Sequence, residues 1–113
     1  MTHPFARPAH ARWLESETDR LLRFAKGALR PAGGFGMLDN GGGIGAEAPI
    51  DWLITCRMTH GGAIGHLLGR PGYAGMADHG LAALRGVFRD EVAGGWVREV
   101  DVHTGAPTSD RKE

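Results

Sequence analysis

Apolar residues recur every three or four positions over three stretches of the chain and alternate with polar ones over two shorter stretches. The first helix is predicted at about residues 10–30. Leu14, Thr18, Leu21, Ala25 and Ala28 follow the spacing of one helix face, widened by Leu22 and Leu29. Arg12, Glu15, Ser16, Asp19, Arg23, Lys26 and Arg30 fill the opposite side, and Pro31 stops the run. A second helix is expected over residues 50–68, with Asp51 in its first turn and Gly69 and Pro71 as stop signals. A third is expected over 73–89, where Tyr73, Met76, Ala77, Gly80, Leu81, Leu84, Val87 and Phe88 form one stripe.

Two β-hairpins complete the pattern. Asn40-Gly41 is a tight-turn signal and predicts a hairpin near 34–42, with Phe35 and Met37 on one arm, followed by a flexible glycine-rich loop. "GGWVREVDVHTGAP" alternates as a hairpin over about 95–105, with Trp96, Val100 and Val102 apolar. The two segments echo each other: each opens Gly-Gly-aromatic and reaches an aspartate before a glycine turn, with the glycine pairs 61 residues apart. The order predicts a mainly α fold, a helical array with hairpins at one end. It forms a single partial domain over 1–113 whose tail, 106–113, frays.

Composition narrows the function. Thirteen basic residues balance thirteen acidic ones, so no electrostatic footprint for nucleic acid or an anionic membrane exists. No apolar run approaches the ~20 residues needed to cross a bilayer, and "MTHPFARPAHARW" lacks the apolar core of a secretory signal. One cysteine, Cys56, excludes an internal disulfide, and the expectation is a soluble, cytoplasmic chain. Glycine is the outlier, 19 of 113 residues, over twice the usual ~7%.

The candidate chemistry lies on the second helix. Arg57 stands among Leu53, Ile54, Met58 and Ile64, although arginine is almost never buried without a partner. Two readings stay open: a pair with an acidic residue of a neighbouring helix, or a guanidinium fork that bonds ligand hydroxyls or an anion. His60 lies three residues on, so both side chains can face one cavity. Cys56 and His60 are spaced i, i+4, but two ligands do not complete a structural zinc site, and His66 points about 240° round the helix from His60. An inert buried thiol is the expectation for Cys56. The G-x-G-x-x-A match at Gly41, Gly43 and Ala46 lacks a preceding parallel strand, so it carries no dinucleotide reading. Gly61, Gly62 and Gly65 each cost a helix roughly 1 kcal/mol relative to alanine, and two readings stay open: close approach by another helix or a ligand, or drift from a better-packed helix.

"RWLESETDRLLRFAKGALRPAGGFGMLDNGG", "LITCRMTH", "LLGRPGYAGMADHGLAALRGVFRDEVAGGW" and "DRKE" together resemble the opening of the N-acylglucosamine 2-epimerase-like superfamily, nearest its aldose–ketose isomerases acting on mannose or sulfoquinovose. The resemblance runs over about residues 12–113. It implies the N-terminal portion of an (α/α)6 barrel, and a cofactor-independent isomerase or epimerase that uses paired histidines to move a proton through an enediol. It implies sugar contacts at Arg57, His60, Trp52 and Phe35, with no metal, no cofactor and a small-molecule sugar as partner. The family's catalytic histidines lie beyond the part resembled here, and none of the six histidines of this chain matches them. The chain alone is therefore expected to be inactive, and to self-associate through barrel-interior stripes containing Leu21, Leu67 and Leu84. The alternative is a non-catalytic helical module that binds sugar or a partner. A glycosidase would need paired carboxylates, and Asp39 and Asp101 both sit in turns. Where the family continues after R-M-T-H with bulky residues this chain has Gly61 and Gly62, which suggests erosion. Where the branch has tryptophan, four residues before the arginine, Leu53 stands, and Trp52 is turned about 100° away.

Overall fold

A computed structural model describes residues 7–109 and 113. Among them are three helices, α1 (Pro8–Lys26), α2 (Trp52–Leu67) and α3 (Tyr73–Arg85), and two short strands, β1 (Ile50–Asp51) and β2 (Glu99–Val100). The strands pair antiparallel, Ile50 with Val100 and Asp51 with Glu99.

Both α1 and α3 stop about four residues earlier than the hydrophobic periodicity suggests. After α1, Pro31 excludes helical backbone for Arg30, and Gly33 and Gly34 take φ of 134° and 64°. The chain doubles back: Arg30 N–H bonds Gly34 O, Gly36 N–H bonds Ala28 O, and Leu29 bridges Phe35. The first hairpin is thus 28–36, and the arm expected at its start is its return. The same happens after α3, where Gly94 and Gly95 take φ of 79° and 72°. Asp90 N–H bonds Gly95 O, Val97 N–H bonds Phe88 O, and Arg89 bridges Trp96. The echo seen in the sequence is therefore a repeated helix–hairpin unit.

The two aspartates that follow act alike. Asp39 Oδ1 accepts from Gly41 and Gly43 N–H at 2.8 and 2.9 Å, and Asp101 Oδ1 accepts from His103 and Thr104 N–H at 2.8 and 2.9 Å. The loop expected to be flexible is fixed on one side by Asp39. On the other side Arg30, only 6% exposed, donates to Ala46 O and Ala48 O. Arg30 was expected on the polar face of the first helix. It lies instead beyond the helix end, where it holds the loop. Of the tail 106–113, residues 110–112 lie outside the described residues; the fraying expected of it is not seen at Pro107, Thr108 and Glu113. Pro107 bridges Val100, Thr108 N–H bonds Glu99 O, and Glu113 exchanges backbone bonds with Trp96.

The core has two parts. Ile50, Ala83, Phe88, Val97 and Val100 form one, at the hairpin end. Ala28, Phe35, Tyr73 and Met76 form the other, between the helices. Thr55, fully buried, joins them to α2 by accepting from Phe35 N–H at 3.0 Å. By contrast α1 buries no residue completely. Leu22 and Ala25 touch the second core, Arg70 binds Asp19 at 2.6 Å, and Leu14 and Leu21 of the expected stripe stay exposed.

Asp51 caps α2 by accepting from Ile54 N–H at 2.9 Å. At the other end Arg70 N–H bonds Gly65 O and Gly69 N–H bonds His66 O, with Gly69 at φ 78°, which is the paired bond pattern of a glycine-terminated helix. Between these caps α2 and α3 approach closely. A Cβ on Gly62 would stand 2.9 Å from Ala77 N and 3.2 Å from Tyr73 O, and one on Gly65 would stand 2.7 Å from the Tyr73 ring. On α3, a Cβ on Gly80 would overlap the Thr59 hydroxyl. The erosion reading is thereby overturned at Gly62, where only hydrogen fits. Nothing lies within 4 Å of a Cβ on Gly61, so that glycine has no packing reason.

This contrast is testable by thermal or urea unfolding. Gly61→Ala should stabilise by about 0.5–1 kcal/mol through helix propensity. Gly62→Ala and Gly65→Ala should each destabilise, by about 1–3 kcal/mol of overpacking less that same gain. Equal effects at the three positions would contradict the close approach.

A second test concerns pH. The Thr104 and His103 amides hold the Asp101 carboxyl below its ordinary range. Its folded value is lower than its unfolded one, so its contribution is present above about pH 4 and fades as pH falls through the folded value. Between pH 5 and pH 2 the melting temperature of the parent chain should fall more steeply than that of Asp101→Asn. Asn keeps the turn but does not titrate.

Candidate functional site

One face of α2 is taken up by packing. Thr55, Gly62 and Gly65 are its buried residues, and Met58 leans on the second core. At about 100° per residue, Leu53, Arg57, His60 and Ile64 fall within an arc of about 60° on the other side. Arg57, His60 and Ile64 are exposed and Leu53 is half-buried. A helix apolar on both sides ordinarily has cover on both, yet here the second side is bare and Leu67 is 83% exposed.

Arg57 stands at the edge of a cavity of about 240 Å³ between α1, the first hairpin and α2. Phe24, Ala28, Leu38, Ile54 and Met58 make its apolar walls. Of the two readings open for Arg57, the ion pair is not found: no carboxylate bonds its guanidinium among the described residues. The fork is available to a ligand. His60 likewise has no protein partner among the described residues. One turn before His60, Cys56 is half-buried rather than buried as expected; partial burial and the nearby Asp51 charge push its thiol above its ordinary range, so it stays protonated and unreactive at neutral pH. Cys56 and His60 find no third metal-ligand side chain among the described residues.

Two of the four residues expected to contact sugar do not reach this face. Phe35 has no accessible surface: it packs with Ala28, Tyr73 and Met76 and stands perpendicular to the His79 ring, with centroids 5.4 Å apart. It is a core residue, because the hairpin turns it under α2 and α3 rather than outward. Trp52 sits about 140° round α2 from Arg57 and packs against the Ile50–Val100 core, with its indole N–H buried and unbonded. Its ring therefore lies away from the Arg57 face.

Three other histidines are occupied elsewhere. His79 Nε2 lies 2.9 Å from Gly34 O, His103 Nε2 lies 3.2 Å from both Glu47 oxygens, and His10 stacks on Trp13. Residues that pattern reading passed over include Arg30 and His79, each fixing a hairpin glycine or loop carbonyl. The only sequence signal for Arg30 was the proline that follows it.

Comparison with known proteins gives this arrangement a setting. A family model described as N-acylglucosamine 2-epimerase (GlcNAc 2-epimerase) matches residues 33–113. A D-mannose isomerase of Thermobifida fusca is 44% identical over 113 residues, which is 100% of this chain and 28% of that protein. A D-mannose isomerase of Pseudomonas cannabina pv. alisalensis is 47% identical over 89 residues, 79% of this chain and 21% of its own length. The solved structure of a cellobiose 2-epimerase from Bacillus thermoamylovorans superposes with a TM-score of 0.70 at 25% identity, over 89% of this chain and 28% of that one. This chain thus spans between a fifth and a third of the relatives it matches. Its three helices and hairpins are the N-terminal region of an (α/α)6 barrel, and the chain belongs to the N-acylglucosamine 2-epimerase family.

Proposed function

We propose that this chain supplies a sugar-binding wall of a cofactor-independent aldose–ketose isomerase or 2-epimerase, and that alone it binds sugar without turning it over. The observation that carries the reading is the bare face of α2, where an unpaired Arg57 and His60 stand side by side. The guanidinium offers a fork of donors to sugar hydroxyls, and the imidazole carries a hydrogen-bond donor or acceptor on each ring nitrogen. Two relatives are D-mannose isomerases and the solved neighbour is a 2-epimerase, which favours chemistry beside an aldose carbonyl.

Moving a proton between neighbouring sugar carbons requires a base within about 3 Å of the carbon and an acid at the carbonyl oxygen. Arginine cannot act as the base, and the Cys56 thiol is held protonated. His60 is then the sole proton carrier on this face among the described residues. His66 points about 240° away along the same helix. An open face also leaves an enediolate exposed to water, where its electrostatic stabilisation is weak. Binding without catalysis follows. The single thiol suits a reducing compartment, and cytoplasm is the proposed location.

Mannose, fructose and cellobiose titrations followed by NMR test the reading, together with proton exchange at C2 in deuterated water. Sugar-dependent shifts should centre on Arg57 and His60 and weaken about tenfold or more in Arg57→Ala, as expected for loss of a charged hydrogen bond. No exchange at C2 is expected. Turnover abolished by His60→Ala would refute the non-catalytic part, and shifts that ignore both substitutions would refute the site. The bare apolar surface at Leu21 and Leu67 should also drive self-association. Sedimentation at rising concentration should show it, and Leu67→Glu should lessen it.

A further inference from the structure

A second pocket, of about 320 Å³, lies between the last turns of α1 and the turn that leads into α3. It shares no residue with the Arg57 face. Asp19, Arg23, Lys26, Arg70 and Tyr73 surround it. Its volume is at the lower end of the ~300–1,000 Å³ typical of small-molecule sites.

The charges in it do not balance. Asp19 binds Arg70 at 2.6 Å, and Glu15 acts on Arg70 from further off. No carboxylate bonds Arg23 or Lys26 among the described residues. Both belong to one turn of helix, where like charges three apart repel. A basic residue in a last turn is ordinary on its own, since it faces the negative end of the helix. Arg70 comes from a different element, however, and brings a third cation into the same hollow.

Tyr73 adds a second kind of observation. Its side chain is 5% exposed, its ring packs on Gly65, and Lys26 Nζ sits 4.0 Å from the ring centroid. Its hydroxyl bonds no group among the described residues and stays open to solvent, free to donate to an occupant. The free Arg23 fork, the Lys26 ammonium and Tyr73 therefore border one pocket with Arg70, whose Nε and Nη1 are taken by Asp19 and by Leu68 O, in a chain whose formal net charge is +0.

We propose that this pocket binds a phosphate dianion, either free or as the monoester group of a small phosphorylated compound. A phosphate group carries about −1.5 to −2 charge at pH 7 and three strong acceptor oxygens, which matches the two unpaired cations and the number of donors. A monocarboxylate would leave one cation unmatched. The occupant would also tie α1 to the turn before α3, so binding should tighten a helix that buries no residue of its own.

The test adds inorganic phosphate, glucose 6-phosphate or chloride, at matched low ionic strength, to the 113-residue chain. Amide spectra and melting temperature are followed. Saturable shifts at Lys26, Arg70, Gly72 and Tyr73 are expected with phosphate, along with a rise in melting temperature that chloride does not produce. Tighter binding of glucose 6-phosphate than of inorganic phosphate would identify the monoester as the ligand, and the reverse would identify the free ion. Arg23 and Lys26 are exposed, so an Arg23→Gln, Lys26→Gln double variant keeps the fold, which circular dichroism checks. It should lose about tenfold or more in affinity. Tyr73→Phe keeps the ring and should lose about threefold. Equal responses to chloride and phosphate, or unchanged affinity in the double variant, would overturn the site.

Discussion

The approach of α2 to α3 over Gly62, Gly65 and Gly80 is the contact on which the rest of the chain depends. Without side chains at Gly62 and Gly65, the backbone of α2 lies against Tyr73, Met76 and Ala77. That spacing lets Met76 and Tyr73 join Phe35 and Ala28 in one core. It also sets Thr55 where its hydroxyl accepts the Phe35 amide, so the first hairpin is docked through the same helix. The helix penalty of roughly 1 kcal/mol per glycine is offset by packing that a larger residue would prevent. An alanine in place of either would push the helices apart and loosen the hairpin with them.

The position of α2 was legible because it carries a start and a stop that work locally. Asp51 is a capping residue in the sequence and caps in the structure; Gly69 is a stop signal and closes the helix. What pattern reading missed has a common cause. Apolar spacing continues past Lys26 and past Arg85, so Ala28, Leu29, Val87 and Phe88 read as helix. They are apolar because they enter hairpin and core, and a hairpin arm that is buried on one side shares residues with any helical template. The turn glycines decided the matter, since Gly33-Gly34 and Gly94-Gly95 adopt backbone that other residues rarely take. The 61-residue echo already contained those pairs. Reading it as a repeat of the whole helix–hairpin unit would have corrected both helix ends.

The candidate site divides the same way. Arg57 and His60 share a face because their spacing dictates it, and no tertiary contact was needed to place them. Phe35 and Trp52 required knowledge of where the hairpin and the first turn of α2 lie relative to the core. Aromatic residues serve a core or a sugar platform equally well, and sequence alone does not separate the two. Burial does: Phe35 has no surface to offer and Trp52 is turned into the Ile50–Val100 cluster.

The two faces of α2 are linked by necessity. A helix apolar all round has no preferred side, so the side that packs must be chosen by shape rather than hydrophobicity. Glycines make that choice on one side, because they admit the closest neighbour and so gain the most dispersion contact. The other side is then left with the residues too long to pack closely, Arg57, His60, Ile64 and Leu67, all exposed. Close packing on one face and a projecting cation and imidazole on the other are thus a single design constraint. The RMTHGG segment, in which a cation and an imidazole run directly into glycines, has this order for that reason: Arg57 and His60 reach outward while Gly62 lets the helix settle inward.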